Sequence, residues 1–119
     1  MLYVIRHGET DWNLKDKIQG RADIPLNAYG IQEANISKIL LYQTNFYKII
    51  SSPLIRAKKT AEIICHYDTP IETDSRIIER DFGEFEGLSK EKFDSSSFWN
   101  YSLNNQYDKA ESVKQLLNR

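Results

Sequence analysis

Arg6-His7-Gly8-Glu9-Thr10 sets a cation, an imidazole and a glycine in direct succession. Arginine presents a planar fork of donors that matches phosphate. A neutral imidazole can attack phosphorus and hold it as phosphohistidine, and glycine lets the backbone come close to a ligand. Taken alone, the tripeptide is a weak signal and reads more often as a turn with a surface histidine. A second segment, Ser52-Pro53-Leu54-Ile55-Arg56-Ala57, places Arg56 at the opening of a helix. The helix N-terminus and the guanidinium would both favour an anion there, although a solvated surface arginine is the commoner case. A third segment, Glu79 to Gly87, holds four carboxylates, Glu79, Asp81, Glu84 and Glu86, in a glycine-bracketed loop. One carboxylate beside a phosphate could protonate a leaving oxygen, while the others would be ordinary solvated charges.

Positioning these groups falls to the elements around them. Leu2-Tyr3-Val4-Ile5 is a continuous apolar run, the pattern of a central parallel strand, and it stops where Arg6 and His7 begin. Ligands of open α/β sheets bind at such carboxyl ends. Asn27 reads as the N-cap of a helix from Ala28 to about Leu41, with an apolar stripe of Ile31, Ala34, Ile39 and Leu41. Phe46 to Ile50 reads as a second strand ending at Ser51-Ser52-Pro53. The next helix shows Ala57, Thr60, Ala61, Ile64 and Cys65 on one face. Ile71-Glu72-Thr73 after Pro70 reads as a short edge strand. This alternation predicts an α/β domain with a largely parallel sheet. Asp74 to Ser89 reads as a loop, Ser89 as the cap of a short helix through Phe93, and Ala110 to Leu117 as a final helix. The aromatic-studded stretch from Asp94 to Tyr107 has no clear period.

The bulk numbers narrow the class further. The 119 residues suit one domain, 1–119, and 40% hydrophobic with 28% charged residues is ordinary for a globular protein. A net charge of −1 gives no reason to invoke nucleic acid or a membrane surface, so any anion site must be local. The single cysteine, Cys65, fits a reducing cytoplasm. Met1 to Arg6 lacks the features of a signal peptide, and no apolar run approaches the roughly 20 residues of a membrane span.

Together the motifs resemble the histidine phosphatase superfamily, the phosphoglycerate mutase-like proteins. The resemblance runs in order from Leu2 to about Lys90, through Arg6 to Thr10, Asn13, Gln19-Gly20, Asp23 to Leu26 with Gly30, Ser52 to Ala61, and Glu79 to Gly87. It implies a three-layer α/β/α fold with a mostly parallel sheet. It also implies that His7 is the nucleophile and Glu79 the general acid and base. Arg6, Arg56 and Asn13 would hold the phosphoryl group, and Gln19, Gly20, Arg80 and Lys90 would meet the substrate. The implied reaction is hydrolysis of a small phosphomonoester through phosphohistidine, without metal or other cofactor. Phosphoglycerate mutase-type transfer is the alternative, favoured by Arg80 and Lys90, which fall where the mutases carry cations for a phosphorylated acid. The other alternative is an inert, truncated phosphate-binding fragment.

The resemblance also implies a second pocket histidine, in a Val-x-His-Gly motif after a later strand. Only His7 and His66 are present, and His66 sits at a helix end with no glycine behind it. The chain is therefore expected to lack the C-terminal strands of the fold, to be a feeble catalyst by itself, and either to self-associate, as in a homodimer through exposed strand edges, or to be rearranged relative to the family fold.

Overall fold

The computed structural model describes residues 1–66 and 68–119. The chain divides into two compact units, one of Met1–Asp11 with Asp23–Ile78 and the other of Trp12–Ala22 with Glu79–Arg119. A one-turn helix, α1 (Asp11–Leu14), straddles the first division. Among the described residues no helix is long and apolar enough to cross a membrane.

The first unit is built on a strand–helix–strand crossover. β1 (Ile49–Ser51) and β2 (Ile71–Thr73) run parallel, with Ile49 opposite Ile71 and Ser51 opposite Thr73. Parallel neighbours need a crossover, which α3 (Ile55–Ile64) supplies while packing on both strands. The ladder continues past both strand ends, where Ile49 N–H donates to Pro70 O and Asp74 N–H to Ser51 O, each at 2.9 Å. α2 (Ala28–Leu40) packs on α3. Asn27 caps α2 as expected, its side chain accepting from Gly30 N–H at 2.8 Å.

Three sequence expectations need correction here. Leu2 to Ile5 forms no strand, and Leu2 and Val4 are 87% and 89% exposed. Apolar β-branched residues supply propensity, but a strand exists only where a neighbour completes its ladder. What does pack is Tyr3, edge-on against Phe46 at 5.5 Å. The second strand begins at Ile49 instead of Phe46, and Tyr47 is fully in solvent. On α2 the expected stripe is mostly outside, with Ile31 and Ile39 exposed. The buried positions are the small residues Gly30 and Ala34, which let other backbone approach closely.

The second unit is an aromatic cluster wrapped in short turns. Ile18, Phe82 and Phe98 form its buried centre, with Phe85, Phe93, Tyr107 and Ala110 packed around them. Phe82 stacks on Phe98 with centroids 4.8 Å apart. Residues 16–18 pair with 87–90, as Gly87 N–H donates to Ile18 O, Ile18 N–H to Leu88 O and Lys90 N–H to Asp16 O, all at 2.9 Å. Ser89 caps a 3-10 turn at Lys90–Lys92. α4 (Ser95–Phe98) starts at Asp94, whose carboxyl is held near a pKa of about 2 by hydrogen bonds from Ser97 and Ser96. α5 (Val113–Leu117) begins three residues later than the apolar period suggested. Ser112 and Gln115 form a reciprocal capping box that fixes its start.

Candidate active site

His7 lies in the first unit, half-buried, just before a tight backbone crossing. Gly8 and Gly30 are pressed together there, and a Cβ on either would overlap backbone, of Gly30 in the first case and of Glu9 in the second. Asn27 secures the crossing twice, its N–H donating to Glu9 O at 3.0 Å and its side chain to the Glu9 carboxylate at 2.9 Å. Glu9 N–H donates to Glu33 Oε2 at 2.8 Å. Gly30→Ala is expected to cost about 1–3 kcal/mol, because backbone on both sides must shift. Urea unfolding measures this, and an unchanged midpoint would show that the crossing is loose.

Helix α3 brings Arg56 to this loop. Arg56 is 1% exposed, and its Nε donates to His7 Nε2 at 3.1 Å. A guanidinium has only donors, so Nε2 must carry the lone pair. The proton of the neutral ring is then on Nδ1, which donates to Gly8 O at 2.7 Å. Thr60 ties the two partners together, because its hydroxyl accepts from Gly8 N–H at 3.2 Å and donates to Arg56 O at 2.8 Å. The arrangement fixes both tautomer and ring direction, and presents Nε2 as the basic nitrogen beside a permanent cation.

The N-terminus of α3 contributes less to an anion than the sequence suggested. Asp23 Oδ1 already accepts the Ile55 N–H at 2.7 Å, so a carboxylate occupies part of that positive end. Arg6 precedes His7 and is exposed.

The remaining expected site residues belong to the second unit. Asn13 is half-buried in α1, and its carbonyl accepts from Asp16 N–H at 3.1 Å. Gln19 is half-buried and Gly20 buried; a Cβ on Gly20 would strike the Arg80 carbonyl and the Glu86 carboxylate. Glu79 is exposed, with Oε1 accepting from Arg80 N–H at 2.8 Å. Lys90 is exposed and lies 3.7 Å from Asp16.

Arg80 occupies a different setting from the one its sequence position suggested. It is fully buried, donating from Nε to Glu111 O and from Nη1 to Phe98 O, both at 2.8 Å. Its guanidinium lies 3.5 Å from the Phe98 ring centroid and 4.6 Å from that of Trp99. Burial pulls its pKa below the ordinary arginine value, against the opposing influence of Glu111 and Tyr107.

Several residues carried no sequence signal of the contacts they make. Thr60 and Gly30 fall within the motifs that carry the resemblance, but nothing in those motifs foretold their contacts with Gly8 and Glu9. Glu86 was one carboxylate among four, yet it accepts N–H groups from Arg21, Ala22 and Phe82 at 2.8, 2.6 and 3.2 Å.

A family model, histidine phosphatase superfamily (branch 1), matches residues 2–119. The chain belongs to that superfamily, and its fold is the α/β fold of the phosphoglycerate mutase-like proteins. Over 90 residues it is 47% identical to a Bacillus subtilis (strain 168) protein named uncharacterized phosphatase PhoE, covering 75% of this chain and 47% of the relative. It is 42% identical over 88 residues to probable phosphoglycerate mutase GpmB of Proteus mirabilis (strain HI4320), covering 71% of this chain and 40% of that one. Among solved structures it is similar to a phosphoglycerate mutase from Thermus thermophilus, with TM-score 0.78 and 29% identity over 95% of this chain and 64% of that one. The chain thus spans about half the length of the curated relatives it matches.

Proposed function

We propose that the protein hydrolyses small phosphomonoesters through a phosphohistidine formed on Nε2 of His7. The observation that carries this reading is the Arg56–His7 pair, in which Nε2 holds the lone pair and Nδ1–H is fixed on Gly8 O. As a phosphoryl group arrives, the donors of Arg56 turn from the ring to its oxygens, joined by Arg6 and Asn13. The Nε2 lone pair then forms the N–P bond while the P–O bond to the alcohol breaks. Glu79 gives its proton to the departing oxygen. In the second half, water attacks phosphorus, Glu79 takes its proton, and the electron pair of the N–P bond returns to Nε2. The arginines act on the charge that the equatorial oxygens carry in the transition state. Gln19 and Gly20 border the alcohol half. No step calls on a metal or an organic cofactor.

Transfer of the mutase type is the second reading, and relatives with that name favour it. Hydrolysis is preferred because Arg80, one of the two cations that fall where the mutases carry theirs, spends two of its donors on backbone carbonyls. The substrate is therefore read as an ester whose alcohol half needs no carboxylate partner. The protein is read as cytoplasmic, and as one histidine phosphatase domain that self-associates through strand edges.

The test is a rapid quench with a labelled phosphomonoester. An N-linked phosphohistidine is labile to acid and stable to alkali. The expected result is stoichiometric label of that kind on His7. Label that survives acid, or that sits on another residue, would refute the reading.

A further inference from the structure

Glu79 is exposed, so no packing of its own locks it in place. A general acid must nevertheless stay within hydrogen-bond reach of the oxygen it serves. The second unit surrounds the Glu79–Asp81 backbone with a charged clamp that no step described above uses.

We propose that Arg21 and Glu111 are positioning residues for Glu79, aiming its carboxyl at the leaving oxygen. This rests on the reading of Glu79 as the proton donor. Arg21 reaches the peptide directly, its Nε donating to Glu79 O at 3.3 Å. From the same guanidinium, Nη2 donates to Glu111 Oε2 at 3.2 Å, and Nη1 lies 3.8 Å from Asp81 Oδ2. Glu111 holds the next two residues. Its carbonyl accepts Arg80 Nε at 2.8 Å, its N–H donates to Asp81 O at 2.9 Å, and its carboxylate takes Asp81 N–H at 3.4 Å. The Glu79 side chain folds back onto this tethered backbone through its bond from Arg80 N–H.

The clamp is itself fixed. Arg21 and Ala22 donate their N–H groups to the two oxygens of Glu86, which sets where the Arg21 side chain starts. Arg119 grips Glu111 at 2.7 and 3.2 Å. The Glu111 side chain is only 10% exposed. Burial pushes its pKa up, but the bonds from Arg119 and Asp81 N–H and the charges of Arg119 and Arg21 outweigh that and hold it below the ordinary value. Glu111 is thus a fixed anion between two guanidiniums, and two rigid anchors flank the peptide from which Glu79 projects. Displacing a reacting group by about 1 Å costs about 10²-fold in rate.

The experiment compares two leaving groups. An alkyl phosphate such as glycerol 3-phosphate needs a proton on its departing oxygen; 4-nitrophenyl phosphate does not. The value of kcat/KM reports the chemistry up to alcohol release in both cases. Glu79→Gln is the reference and is expected to lose alkyl turnover selectively. Arg21→Met and Glu111→Gln are expected to lower kcat/KM for the alkyl ester by about 10–100-fold, and for the nitrophenyl ester by less than about threefold. An equal loss on both esters means ordinary destabilisation, and no loss means no coupling; either overturns the inference while leaving Glu79 as the acid. If Glu79→Gln itself shows no selectivity, the reading of Glu79 fails first and the inference falls with it. Arg21→Met guards against misfolding of the Glu111 variant, because Glu111 keeps Arg119.

Discussion

In a form of the protein that carries the second pocket histidine, His7→Ala is expected to remove turnover altogether, with a loss of about 10⁴-fold or more. The magnitude follows from the kind of contribution lost. Charge stabilisation by arginine lowers a barrier that still exists without it, whereas removal of the nucleophile deletes the covalent path. Binding energy that the remaining residues supply cannot replace a missing bond. The variant should still fold, because the His7 side chain is half-buried and the ring bonds described above go to one side chain and one local carbonyl. It should also still bind inorganic phosphate, since Arg56 stays anchored on α3. The decisive comparison pairs steady-state turnover of 4-nitrophenyl phosphate with phosphate binding by calorimetry. An alanine variant that turns over at even a tenth of the parent rate would mean that phosphorus never bonds to His7.

The parts of this molecule legible in its sequence are those determined by neighbours in the chain. The Asn27 cap, the Ser89 cap and the helix after Pro53 are set by residues within a few positions of one another. His7 and Arg56, which the structure pairs, were singled out for another reason: not the tripeptide alone, which is a weak signal, but four motifs in order along the chain. What could not be read is contact between distant segments. Thr60 meets Gly8 across 52 positions, and Arg21 meets Glu111 across 90. Leu2 to Ile5 shows the limit most clearly. Its composition is that of a buried strand, but composition cannot supply the hydrogen-bonded neighbour that makes one. Asp94 to Tyr107 failed for the opposite reason. Trp99 and Tyr107 pack on Phe98 from short turns, and a cluster of that kind leaves no helical or strand rhythm.

Arg56 carries the second large effect, and the informative substitution is the one that keeps its charge. Arg56→Lys retains a cation on α3 but loses the planar fork, and with it the Nε donor aimed at His7 Nε2. The proposed mechanism gives that fork two functions. In the resting protein it selects the tautomer with a bare Nε2, and in the proposed transition state it would span two phosphoryl oxygens at once. A single ammonium on a flexible stem does neither in the same place. Both Arg56→Lys and Arg56→Met are therefore expected to lose about 10²–10³-fold in kcat, the range for deleting one pre-placed charge donor. Stability should separate from activity. Arg56 is 1% exposed, and an apolar chain of similar volume avoids the cost of burying a charge, so Arg56→Met should unfold within about 1–2 kcal/mol of the parent. The ring itself offers an independent readout. Nitrogen-15 shifts of His7 at neutral pH should show a protonated Nδ1 and a bare Nε2 in the parent, moving toward a mixture of tautomers in Arg56→Met, where the bond to Gly8 O still favours the first form but the Arg56 donor no longer does. A lysine variant with more than about a third of parental activity would show that charge alone suffices, and that the fork geometry between α3 and the His7 loop has no part in catalysis.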